Sequence, residues 1–255
     1  LEQKWFGGSD FDEVYSADYK TTSGLILWGS SQSHDGDFAI DEGRGRNDFI
    51  ACINSKLELQ WVFHAGLASG IDTAPFVFEN GEVCILGSIH ETGSKPKGLL
   101  TKLDKEGRMI WEKQAYDGYW GCSVTQAENG DVLVAKGHGD SGMIAVVDCD
   151  GNEKKLLDGL KFYPGMVCPV ETGGFIVTAT RNVGYVPQPP IISSIWYDTE
   201  LVAVKYGTDY EIEWRKTYDQ YKNKRGTDVA WPQPDGSLVI PVFEPWKQNL
   251  GPTPG

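Results

Sequence analysis

The chain of 255 residues has no apolar run near the roughly eighteen residues that a membrane helix needs, so no membrane insertion is expected. Its start, "LEQKWFGG", has no basic stretch leading into an apolar one, and any export signal is expected to have been removed or never to have been there. Positive charge is scarce: 23 Lys and Arg stand against 36 Asp and Glu, a net charge of −13. A nucleic-acid backbone would be repelled over most of such a surface, and the densest basic spot, "YKNKRG" at 221–226, is too small to reverse that. Cysteine is present but lacks pattern: Cys52, Cys84, Cys122, Cys149 and Cys168 are an odd number without a CxxC pair. All but Cys149 sit in apolar strings such as "FIACI" and "EVCIL", which reads as buried thiols rather than a disulfide framework. Also missing are GxSxG, a Walker lysine loop, a dinucleotide fingerprint and HExxH, so no motif names a reaction.

What the chain has in plenty is Gly (31), Tyr (11) and Trp (9), the residues of tight turns and aromatic-rich strands. They are organised. "FIACINSKLELQW" (49–61), "LLTKLDKEGRMIW" (99–111), "IAVVDCDGNEKKL" (144–156) and "VAVKYGTDYEIEW" (202–214) each join an apolar run, a polar turn and a second run, ending at Trp61, Trp111, Leu156 and Trp214. A second string puts a glycine turn ahead of an apolar run: "TTSGLILWG", "FENGEVCILG", "AENGDVLVAKG", "VETGGFIVTA" and "QPDGSLVIP". Its markers Gly24, Gly81, Gly130, Gly173 and Gly236 are 57, 49, 43 and 63 residues apart. Two hairpins in each unit of about fifty residues predict a β-propeller of four-stranded antiparallel blades.

The strings "KWFGGSDFDEVYS", "ETGGF" and "TKLDKEGRMIW" resemble the quinoprotein-like β-propeller repeats of bacterial exported and surface proteins, and weaker copies cover nearly the whole chain. That resemblance implies an all-β fold and an extracellular or cell-surface location. It leaves activity open, because such propellers include binding proteins as well as enzymes. We expect a single domain over 1–255 with blades near 12–61, 72–111, 119–156, 164–214 and 228–255. Residues 1–8 would supply an outer strand that closes a ring of five, with six blades as the alternative.

In such a blade the a–b and c–d turns share one face, while the b–c loops and d–a links share the other. The first set is short here; the second includes 30–48, 181–198 and 218–228, which points to ligand binding on the long-loop face. Asp12, Asp72 and Asp228 each precede an inner strand. They could line the mouth of the channel as catalytic carboxylates, or cap backbone turns. In the other two blades "YDGYWG" and "FYPGM" stand at that level, bringing Tyr119, Trp120 and Tyr163, and the off-repeat Trp196 and Trp231 join Arg225 and His138 as ligand-binding candidates. Trp61, Trp111 and Trp214 recur with the repeat and are expected to pack between blades. His34, His90 and His138 fall in b–c loops without ligand spacing, so no metal centre is expected. "DCDGN" (148–152) reads as a hairpin turn, and the acidic loop 35–43 is the one place where calcium is conceivable; no other cofactor is expected. The function that follows is non-catalytic recognition of a glycan or protein ligand, with a glycan hydrolase or lyase using the channel carboxylates as the alternative.

Overall fold

The computed structural model describes residues 3–21, 24–41, 46–65, 69–89, 97–114, 117–118, 120–139, 141–171, 173–186, 196–218, 225–226, 231–232, 237–239 and 242–243. These residues contain β-strands and no helix. The first sheet runs β1 (Asp12–Thr21), β2 (Gly24–Ser31), β3 (Asn47–Ile53) and β4 (Leu59–His64), each strand antiparallel to the one before. The second has β5 (Ser69–Ile71) and β6 (Phe76–Val77) both paired to β7 (Val83–Ile89), followed by β8 (Lys97–Leu103) and β9 (Met109–Gln114). Its inner strand is interrupted at "DTAP", where Pro75 has no N–H to give to the ladder. The third sheet is β10 (Trp120–Gln126), β11 (Val132–His138), β12 (Ser141–Val147) and β13 (Glu153–Leu160), and the fourth is β14 (Tyr163–Pro169), β15 (Phe175–Val186), β16 (Trp196–Tyr206) and β17 (Ile212–Tyr218).

A broken hairpin follows. β18 (Arg225–Gly226) pairs with β21 (Val242–Phe243), and β19 (Trp231–Pro232) pairs with β20 (Leu238–Val239). Four complete sheets and this hairpin match the four full repeats and the partial fifth. Each inner strand packs on the sheet before it: β10 on β7, β14 on β10 and β11, and β19 on β14. The two middle strands of each sheet are therefore covered on both faces, which is why "VCIL", "VLVA", "MIAVV" and "IACI" are continuous apolar runs. Burying one such side chain contributes about 1.5–3 kcal/mol. The outer strands lie largely in water, with Trp111 on β9 and Trp214 on β17 among their few half-buried residues.

The outer tryptophans clasp neighbouring sheets. Trp61 donates its indole N–H to Lys105 O at 2.9 Å, and Trp111 donates to Cys149 O at 3.1 Å, each reaching the c–d turn of the next sheet. The rings lie on Gly107 and Gly151, where a Cβ would stand 2.5 and 2.9 Å from ring carbons. Both glycines have positive φ, 79° and 74°, which an L side chain adopts only at a cost.

At the third sheet the pattern differs from the expected hairpin end at Leu156. Cys52 faces Trp61 and Lys102 faces Trp111, but Val146 faces Lys155, so Lys155 holds the tryptophan register. Lys155 pairs with Glu211 at 3.2 Å instead, and the turn position held by Gly107 and Gly151 in the second and third sheets is Tyr210, at φ 66°. The Tyr210 hydroxyl donates to Asp131 Oδ2 at 2.7 Å, an oxygen that also takes Lys154 Nζ at 2.6 Å. Burial works against that carboxylate, but the bonds from Lys154 and Tyr210 outweigh it and hold Asp131 below the ordinary range.

Residues 1–8 are expected to supply a closing outer strand, but the described part of that segment, 3–8, and the residues up to 11 form no strand. They fold onto the loop after β2: Gly7 N donates to Asp37 Oδ2 (3.1 Å), Ser9 N to Asp35 Oδ1 (2.7 Å) and Asp10 N to Ser33 Oγ (3.0 Å). A glycine-rich segment offers bare N–H groups, and an acidic loop bonds them more readily than a distant strand edge does.

Candidate ligand site on the channel axis

The inner strands of the four sheets leave a cavity of about 490 Å³ between them, within the usual size of ligand pockets. Its wall combines Trp28 on β2, Phe76 on β6, and Tyr163 and Met166 on β14 with the carboxylates Asp18 and Asp72. Each inner strand carries a bulge or break near this level, between Val14 and Ser16, at 72–75, between Gly121 and Ser123, and between Pro164 and Met166. Bulges re-aim side chains, and these lie beside the residues that line the cavity.

Trp28 was not among the candidates read from the sequence. "LILWG" looks like a core strand, and the same register in the other sheets holds Leu86, Ala135 and Thr178, so only the aromatic ring set this position apart. Its ring is half-buried with Tyr15 edge-on at 5.2 Å, and its indole nitrogen is buried with no hydrogen-bond partner among the described residues. A buried donor left open costs free energy until something accepts from it.

Asp72 is engaged structurally. Its Oδ1 accepts from Ser88 Oγ at 2.6 Å and its Oδ2 from Gly121 N at 2.9 Å, which ties the second sheet to the third. Gly121 faces it because a Cβ there would meet Asp72 Cβ at 2.7 Å. Behind this junction lies Lys136, whose register mates are Gly29, Gly87 and Ala179. It is fully buried, its ammonium has no hydrogen-bond partner among the described residues, and burial pushes its pKa down against the pull of Asp72.

The remaining candidates are dispersed. Asp12 lies away from the cavity: its Oδ2 accepts from Gly8 N at 2.7 Å and from Ser33 Oγ at 2.9 Å. Asp228, Tyr119 and His90 lie outside the described residues. For Trp120, Trp196, Arg225 and Trp231 the strand position alone is described, opposite Gly137, Val186, Phe243 and Val239. The strand of Trp231 packs on β14, beside the wall that carries Tyr163. His138 is exposed at the end of β11, and His34 sits with Nδ1 3.2 Å from Ile40 O. "DCDGN" is a turn in which Asp148 Oδ1 accepts from the backbone N–H groups of Asp150 and Asn152. In the acidic loop Asp35 and Asp37 bond backbone N–H groups, and the Ser9 N–H holds the Asp35 carboxyl below its ordinary range. Among the described residues no three His, Cys, Asp or Glu side chains stand close enough to hold a metal ion.

No family model and no curated protein matches the sequence. Solved structures do. The Dos1 propeller aligns over 94% of this chain and 76% of its own, with a TM-score of 0.52 at 11% identity. The fold is a β-propeller. A protein of unknown function from Bacteroides caccae aligns over 83% of this chain and 84% of its own (TM-score 0.46, 9% identity), and the Pan2 WD40 domain of Neurospora crassa over 81% and 62% (TM-score 0.45, 14% identity). Of the expected quinoprotein-like likeness, the propeller fold alone is supported.

Proposed function

We propose that the protein is a non-catalytic ligand-recognition propeller of an exported or surface bacterial protein, and that its axial cavity takes a glycan. The observation that carries this reading is the cavity itself, in which Trp28, Phe76 and Tyr163 share a wall with Asp18 and Asp72. Sugar rings suit that surface, because their C–H faces stack on aromatic rings while their hydroxyls bond carboxylates. Glycoside hydrolysis would instead need two carboxyl groups facing one bond about 5–10 Å apart. Asp12 lies elsewhere, and Asp72 is occupied in joining two sheets, so the non-catalytic reading is the better supported.

A glycan-array screen followed by calorimetry on Trp28→Ala and Tyr163→Ala tests the proposal. Each substitution is expected to weaken a captured glycan about tenfold while the circular dichroism stays that of the parent. Binding that survives both substitutions would overturn the axial site.

A further inference from the structure

A second hollow, larger than the axial cavity, lies at the opposite end of the channel, on the face of short turns. It encloses about 780 Å³ over an apolar floor of Phe76, Phe78, Ala127 and Val170. At its back Lys102 is spent: its ammonium pairs with Glu82 at 2.8 Å and lies 5.1 Å from the centre of the Phe78 ring. Around the rim stand Glu79, Glu128 and Glu171, all exposed and none paired to a cation among the described residues.

These three glutamates occupy one position of the repeat, the first residue of the a–b turn in three consecutive sheets: "FENGE", "AENGD" and "VETGG". The turn does not require them. It closes through the backbone, Gly81 N to Phe78 O at 3.0 Å, Gly130 N to Ala127 O at 2.9 Å and Gly173 N to Val170 O at 2.9 Å. Where a side chain assists, it is that of Asn80 or Asn129, accepting from the backbone N–H two residues on. The three carboxylates are thus available to a group outside the chain.

We infer that this hollow is a docking surface for a protein partner that inserts a basic side chain flanked by apolar residues. The floor buries the apolar neighbours, and the three unpaired carboxylates accept from a guanidinium or ammonium held at the rim. The carboxylates are too far apart to share a metal ion, which an extended cationic side chain does not require. The surface is separate from the proposed glycan cavity, since only Phe76 contributes to both.

Fluorescence anisotropy with a labelled Leu-Arg-Leu-Arg-Leu peptide, against Leu-Gln-Leu-Gln-Leu and Leu-Glu-Leu-Glu-Leu, tests the inference. The arginine peptide is expected to bind about tenfold or more tightly than the glutamine peptide, with an affinity that falls as salt rises. The triple variant E79Q/E128Q/E171Q is expected to lose that preference with an unchanged melting temperature. E13Q/E153Q/D158N, which removes the same charge from remote exposed positions, is expected to keep it. Equal binding of the arginine and glutamine peptides, or equal loss in the two triple variants, would overturn the site and assign the attraction to bulk charge. Trp28→Ala is expected to leave this binding intact, so failure here and failure of the glycan reading register separately.

Discussion

Lys136 is the residue whose environment least matches its chemistry: a primary amine with no exposed surface, no hydrogen-bond partner among the described residues, and small residues at its register in the other sheets. Replacing a buried charge by an apolar side chain of similar shape is often neutral or stabilising. Lys136→Met is therefore expected to raise stability at neutral pH by about 1 kcal/mol in urea titrations. The pH dependence follows from the lowered folded-state pKa. Between that value and the ordinary 10.5 the unfolded chain holds a proton that the folded chain has released, so parental stability rises with pH across the window. The advantage of the methionine variant should shrink as pH climbs towards that upper limit; an advantage that is flat or grows with pH would contradict the burial. At this scale the sequence was only partly legible. Asp72 was identifiable as a residue at the channel, but its bonds to Gly121 and Ser88 were not, because no spacing rule connects those neighbours to it. Trp28 was hidden because a strand bound for a core and a strand bound for a channel share one apolar alternation.

Among elements, the decisive contact is the indole of one sheet resting on the glycine turn of the next. Gly107→Ala must both hold φ near 79° and place a methyl against the Trp61 ring, 2.5 Å away. The first effect alone costs about 1–2 kcal/mol and the clash adds to it. In a Trp61→Ala background the clash disappears, so the same glycine substitution should cost markedly less. Equal costs in both backgrounds would show that ring and turn do not press on each other. The repeat was readable because each hairpin obeys local rules of turn and alternation. The end of the third hairpin was misplaced by one residue because Leu156 is apolar as the tryptophans are, whereas the bulge that follows Cys52 and Lys102 recurs after Val146 and puts Lys155 at their register. The N-terminal segment misled for a similar reason: "EQKWFGG" alternates like a strand, while the partner that captures it, the Asp35–Asp37 loop, is a tertiary neighbour.

For the whole molecule, radial packing sorts the five thiols by depth. Cys52, Cys84 and Cys168 are buried, and burial pushes Cys84 up to about 12 and Cys168 up to about 11, while Cys149 is exposed on a turn. A thiol reagent should label Cys149 of the native protein first, and Cys149→Ser should abolish that fast phase. The three buried thiols should react only at the rate of unfolding. Rapid native labelling of Cys84 or Cys168 would be incompatible with sheets stacked as described. The propeller was legible at this scale because a period of about fifty residues survives substitution at single positions.

A wheel assembled from near-copies has no natural starting mark, and a visitor arriving along its axis would find several equivalent orientations. Tyr210, Lys155 and Asp131 cancel that ambiguity, because one junction of the wheel is fastened by charge and hydroxyl where its neighbours use an indole. The rotational degeneracy is lost, and anything seated at either end of the axis meets a surface with a single bearing.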